Sequence, residues 1–96
     1  MSNKFKLNWN FNDEKALDKA VKTVKRWIAK NRKIKSDFSL RIRDMMMEIA
    51  PDIYEAFSRG DKCRVGRAIS IMFDYGYFPE LCRGKKKGVT NTYFLK

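Results

Sequence analysis

Hydrophobic residues in this chain change their spacing twice, and the changes divide it into three parts. From Lys4 to Phe11 they alternate, with Phe5, Leu7, Trp9 and Phe11 separated by Lys6, Asn8 and Asn10. Alternation sends successive side chains to opposite faces, so this stretch reads as a half-buried strand. From Leu17 onward the spacing becomes three or four, the repeat of a helix with one buried face. After Gly76 two short runs, Tyr77 to Cys82 and Val89 to Leu95, return to strand chemistry, with Pro79 confining the first to an edge. The order predicts a mainly α fold with a small antiparallel β-sheet and an extra N-terminal strand. With 96 residues, the whole chain makes a single domain.

Within the helical part, punctuation divides the elements. Asn12 or Asp13 caps a first helix, residues 13–31, whose inner face is Leu17, Ala20, Val21, Val24 and Ile28, with Trp27 beside them. Ser39 caps a second helix reaching Ala50, with Ile42, Met45, Met46 and Ile49 inward. The run of methionines reads as core filler rather than a cofactor box. Pro51 stops that helix and opens a short one over Asp52 to Ser58, with Ile53, Tyr54 and Phe57 inward and Gly60 as its stop. Asp61 caps a fourth helix, within residues 61–76, closed by Gly76 and packed through Val65, Ala68, Ile69 and Met72. Residues 77–95 then form a hairpin whose tip is Arg83-Gly84-Lys85-Lys86-Lys87-Gly88.

Charge carries the functional argument. Lys and Arg number 22 against 11 Asp and Glu, a formal net charge of +11. Residues 1–36 hold eleven bases and three acids (+8), and residues 79–96 hold five bases and one acid (+4). Residues 37–60 hold three bases and five acids (−2), and residues 61–78 three bases and two acids (+1). A surplus gathered at the two ends suits a polyanionic partner, nucleic acid first. Along the first helix, Lys22, Arg26 and Lys30, followed by Lys33, read as a solvated face or as contacts to a phosphate backbone.

Other classes are disfavoured. His is absent, which removes His-based triads and the usual zinc sites. Asp44 and Glu48 stand four apart, the spacing of a pair able to hold a metal, but Arg41 and Arg43 beside them give an ordinary intrahelical reading. No nucleophile or phosphate-cradling glycine loop accompanies them, so the chain is not expected to be an enzyme. Cys63 and Cys82 read as two reduced thiols of an intracellular protein, with a disulfide as the alternative. No membrane span, signal peptide or small-molecule cofactor is expected.

The stretch Phe38-Ser39-Leu40-Arg41-Ile42-Arg43-Asp44-Met45, followed by Arg64-Val65-Gly66-Arg67-Ala68-Ile69-Ser70-Ile71-Met72-Phe73-Asp74-Tyr75-Gly76-Tyr77-Phe78 and the lysine-tipped hairpin, resembles the winged helix-turn-helix DNA-binding family. The resemblance spans about Asp13 to Leu95 and rests on element order rather than on an invariant motif. The insertion of Pro51 to Gly60 departs from the short turn that joins such helices. It implies a small DNA-binding regulator of phage, viral or plasmid type, with residues 61–76 as recognition helix. Arg64, Arg67, Lys62 and Ser70 would read bases, while Arg83, Lys85, Lys86, Lys87 and Thr90 would hold the backbone from the wing. A homodimer is expected, joined by the strand bearing Phe5, Leu7, Trp9 and Phe11 or by the Trp27 side of the first helix.

Two alternatives compete with duplex DNA. Aromatics beside lysines at both ends also suit RNA or single-stranded nucleic acid. A small mobile-element protein that inhibits a partner by direct contact would carry the same charge.

Overall fold

A computed structural model describes residues 10–32, 39–85, 88 and 90–95. Among these, four helices precede one two-stranded antiparallel sheet: α1 (Ala16–Asn31), α2 (Ile42–Ile49), α3 (Pro51–Ala56), α4 (Arg59–Asp74), β1 (Leu81–Arg83) and β2 (Tyr93–Leu95). The expected class, mainly helical with a small antiparallel sheet, is what the chain adopts.

The helices form where the three-to-four spacing predicts, and their apolar faces meet. Ala16, Ala20, Val24, Trp27 and Ile28 of α1 lie against Ile42, Met45 and Met46 of α2 and Val65, Ile69 and Met72 of α4. Phe57, Phe78, Leu81, Tyr93 and Leu95 close the same core. Met45 and Met46 are fully buried, as the filler reading requires. Each contributes roughly 1.5–3 kcal/mol relative to exposure. Leu17 and Val21 sit at its margin, half-buried.

Four boundaries differ from the expectation, and at the start of α2 a distant partner outweighs local punctuation. α1 begins at Ala16, not Asp13. The Asp13 carboxylate instead holds a preceding turn by accepting the Lys15 amide at 2.9 Å. α2 begins at Ile42, and Ser39 does not cap it. Leu40 exchanges two backbone hydrogen bonds with Tyr93, each 2.8 Å, which keeps residues 39–41 extended. The helix start passes to Arg41, whose amide donates to the Asp44 carboxylate at 3.0 Å. α3 stops at Ala56, and Ser58 rather than Asp61 caps α4, accepting the Asp61 amide at 3.1 Å. Gly60, expected as a stop, lies inside α4.

Gly76 does close α4, with φ +85, a left-handed conformation that favours glycine. The strands are shorter than the runs 77–82 and 89–95, because residues 77–80 turn first, with the Leu81 amide donating to the Phe78 carbonyl at 3.0 Å. Register pairs Leu81 with Leu95, Cys82 with Phe94 and Arg83 with Tyr93. Arg83, expected at the tip, is therefore a strand residue. Of the N-terminal strand, Phe5, Leu7 and Trp9 lie outside the described residues, and Phe11 packs half-buried against the core.

Candidate nucleic-acid interface

The exposed side of α4 takes its position from Asp61. Its carboxylate is 1% exposed and accepts the backbone N–H groups of Asn12 at 2.8 Å and Asp13 at 3.0 Å. The Asn12 side-chain amide adds a bond to the Ser58 hydroxyl at 2.7 Å. The segment entering α1 is thus fastened to the first turn of α4. Buried carboxylates need such donors, since an unpartnered one costs several kcal/mol.

Arg64, expected to read bases, is directed to this same carboxylate. Its Nη1 lies 3.4 Å from Asp61 Oδ1, and a Cβ on Gly60 would meet that nitrogen at 2.8 Å. The side chain remains 41% exposed. Its charge, however, already has a counterion, which lowers its value for phosphate or guanine. Arg67 is exposed and makes no ion pair among the described residues. Lys62 stands over the Tyr54 ring, 5.1 Å from its centre.

Ser70 and Arg83 are joined to each other rather than offered to solvent. The Ser70 hydroxyl accepts Arg83 Nη1 at 3.1 Å and Asn91 Nδ2 at 2.8 Å. Arg83 also donates to Asp74 Oδ1 at 2.7 Å and lies over the rings of Phe73 (4.8 Å) and Tyr93 (5.3 Å). The pair fastens the hairpin to α4. Burial raises the Tyr93 hydroxyl above its ordinary pKa, so it stays neutral through the physiological range.

These attachments leave a cleft of about 550 Å³ between the start of α2, the outer face of α4 and residues 90–91. Arg41, Arg43, Lys62 and Arg67 line it, together with Thr90, Asn91 and Tyr54. Ile42, Val65 and Tyr93, all buried, supply its apolar lining, and Cys63 and Gly66 lie along α4 between the cations. Among the described residues no carboxylate lines it. Arg41 is partly neutralised by Asp44 at 3.1 Å, and that carboxylate raises its pKa. Arg43 is exposed. Tyr54 is pushed up by burial, against the nearby Arg43 and Arg41.

The first helix contributes nothing to this lining. Lys30 pairs with Glu48 at 3.4 Å, and Lys22 pairs with Asp18 at 3.3 Å, where both groups are so exposed that little stability results. Arg26 is exposed on the same helix. Lys85 is exposed on the hairpin, outside the cleft lining, while Lys33, Lys86 and Lys87 lie outside the described residues. The hairpin's residues 90–91 and α4 share one surface with Arg41 and Arg43, which sequence reasoning had given to intrahelical pairing. A signal for them existed: two arginines at a helix N-terminus oppose its positive dipole end and so favour an outside anion.

Asp44 and Glu48, the carboxylates four apart, are both engaged, with Arg41 and with Lys30 and Asn31 respectively. No group of three or more metal-ligating side chains occurs among the described residues. Cys63 and Cys82 are free thiols. No helix among the described residues is long and apolar enough to cross a membrane. Compared with protein-family profiles, with curated proteins and with solved structures, the chain matches none.

Proposed function

We propose that this protein binds duplex DNA through the outer face of α4 and the adjoining hairpin, acting as a small regulator of phage, viral or plasmid type. The observation that carries the reading is the cleft's composition. Arg43, Lys62 and Arg67 come from two helices, meet the neutral donors Thr90 and Asn91, and face no carboxylate in the lining among the described residues. Cations held together without counterions favour a phosphate backbone, whose binding releases condensed ions.

The order of elements supports the finer reading. A helix, an extended residue at Leu40, α2 to α4 and then a hairpin, with β2 lying between β1 and Leu40, resembles a winged helix with α4 as the helix for the major groove. Arg67, with Lys62 beside it, is the base-reading candidate. Arg64 is reassigned to holding Asp61, and Ser70 and Arg83 to holding the hairpin. Arg43 joins the backbone contacts.

Fluorescence anisotropy with a random duplex at several salt concentrations tests this. A negative slope of log affinity against log salt is expected, falling by about 1 in magnitude for each phosphate-contacting cation removed. A slope near zero, or tighter binding to single strands than to duplex, refutes it.

A further inference from the structure

Neither the backbone angles nor a close neighbour requires glycine at position 66. It lies in the interior of α4 with an ordinary helical backbone, since only Gly76 and Gly88 have positive φ among the described glycines. A Cβ built on it would meet nothing within 4 Å, so no neighbour requires its smallness. Glycine inside a helix costs stability relative to alanine. What the missing side chain leaves open is the cleft, which Gly66 lines between Lys62 and Arg67.

The cleft exceeds what a backbone phosphate requires. Its volume of about 550 Å³ lies within the range of small-molecule sites, roughly 300–1,000 Å³. Its lining combines the cations Arg43, Lys62 and Arg67 with the Tyr54 ring, over which Lys62 stands. Asn91 gives one amide N–H to Ser70, which leaves its second N–H and its carbonyl oxygen for a ligand. A phosphate joined to a flat, hydrogen-bonding ring matches both kinds of lining side chain.

We infer that this cleft binds a nucleoside phosphate, and that its occupancy competes with duplex DNA for Arg67. The phosphate lies on Arg43 and Arg67, and the base lies over Gly66 toward Tyr54. The inference deepens the DNA-binding reading, because the same cations serve both ligands. The nucleoside phosphate is either free or the terminal nucleotide of a strand, two sources with one chemistry.

The test titrates the ¹⁵N-labelled full chain with each of the four deoxynucleoside 5′-monophosphates, and with inorganic phosphate, following amide shifts. In parallel, a closed dumbbell duplex without ends and an open duplex of the same sequence are titrated by anisotropy. Saturable shifts at Gly66, Arg67 and Asn91 with a monophosphate, at least about tenfold weaker in Gly66→Leu, are expected, because leucine blocks the space and leaves every charge in place. Displacement of the dumbbell by the monophosphate identifies the free ligand, and preference for the open duplex identifies a strand end. Either outcome supports the inference. Equal affinity for inorganic phosphate overturns it, as does unchanged monophosphate binding in Gly66→Leu. If that variant fails to fold, judged by its circular dichroism, the wild-type comparison of monophosphate with phosphate still decides. Dumbbell binding with no monophosphate binding overturns this inference alone, whereas monophosphate binding with no duplex binding overturns the DNA reading and with it the competition, and leaves the nucleotide site standing.

Discussion

The Asp61 carboxylate accepts the backbone amide of Asn12 at 2.8 Å, across 49 residues of chain. With the Asp13 amide at 3.0 Å on its other oxygen, it fastens the entrance of α1 to the start of α4. Asp61→Ala leaves both amides without this acceptor and is expected to cost about 2–4 kcal/mol, the scale for charge-assisted bonds to a buried group. Urea unfolding measures it. A loss under about 0.5 kcal/mol, the range of an ordinary surface change, counts against the role.

Arg64 and Arg67 have different surroundings although three residues apart, Arg64 lying beside Asp61 and Arg67 exposed. Arg67→Ala is expected to weaken duplex binding by about 1–3 kcal/mol if it reads a base. Arg64→Ala should change binding less and lower stability by up to about 1 kcal/mol, since its pair with Asp61 is half-exposed at the guanidinium. Anisotropy and thermal unfolding on the same two variants resolve the pair, and the reverse ranking would return Arg64 to the interface.

Arg83→Lys keeps the charge and loses the fork. Its partner Asp74 is 60% exposed, so the ion pair itself contributes little. The larger losses are the stacking on Phe73 and Tyr93 and the bond to Ser70. A decrease of about 1–2 kcal/mol in unfolding free energy is expected. Faster amide exchange at position 83 and at Tyr93 would accompany it.

Gly84 is required by space rather than by its dihedral angles. A Cβ there would overlap the Ser39 side chain and the Thr92 hydroxyl. Gly84→Ala must therefore push the Leu40 segment off β2, costing about 1–3 kcal/mol. Loss of the mutual Leu40 and Tyr93 amide protection is the specific readout.

Acid weakens the fold through two carboxyls. Lys19 and the Lys15 amide hold Asp13 below its ordinary pKa of 3.8. Burial raises Glu48, but bonds from Asn31 and Lys30 outweigh it and bring it below 4.5. A group depressed by folding contributes stability above its unfolded pKa, and that contribution is lost as pH falls through the folded value. Stability should therefore decline from about pH 4.5 downward, with Glu48 first. Glu48→Gln should flatten the upper part of that decline in urea titrations followed by tryptophan fluorescence.

The buried faces of α1, α2 and α4, the stop at Gly76 and the hairpin were legible because each depends on residues a turn or a few positions apart. A helix that places Val24 inward places Ile28 inward too. Boundaries were less legible. Ser39 has the chemistry of a cap, and only the pairing of Leu40 with Tyr93 shows why it does not act as one. Arg64 and Arg67 look alike in sequence, and only the position of Asp61 tells them apart.

What the sequence determined by itself was the periodicity and the surplus of positive charge, both properties of neighbouring side chains and of their sum. Tertiary structure decided which charges are left uncompensated. Arg83 is consumed by Ser70, Asp74 and two rings, Arg64 by Asp61, and Lys30 by Glu48, while Arg43, Lys62 and Arg67 gather around a cleft. The physical reason is range. Helical spacing is set within a few residues, whereas a counterion acts through space and arrives from any distance along the chain.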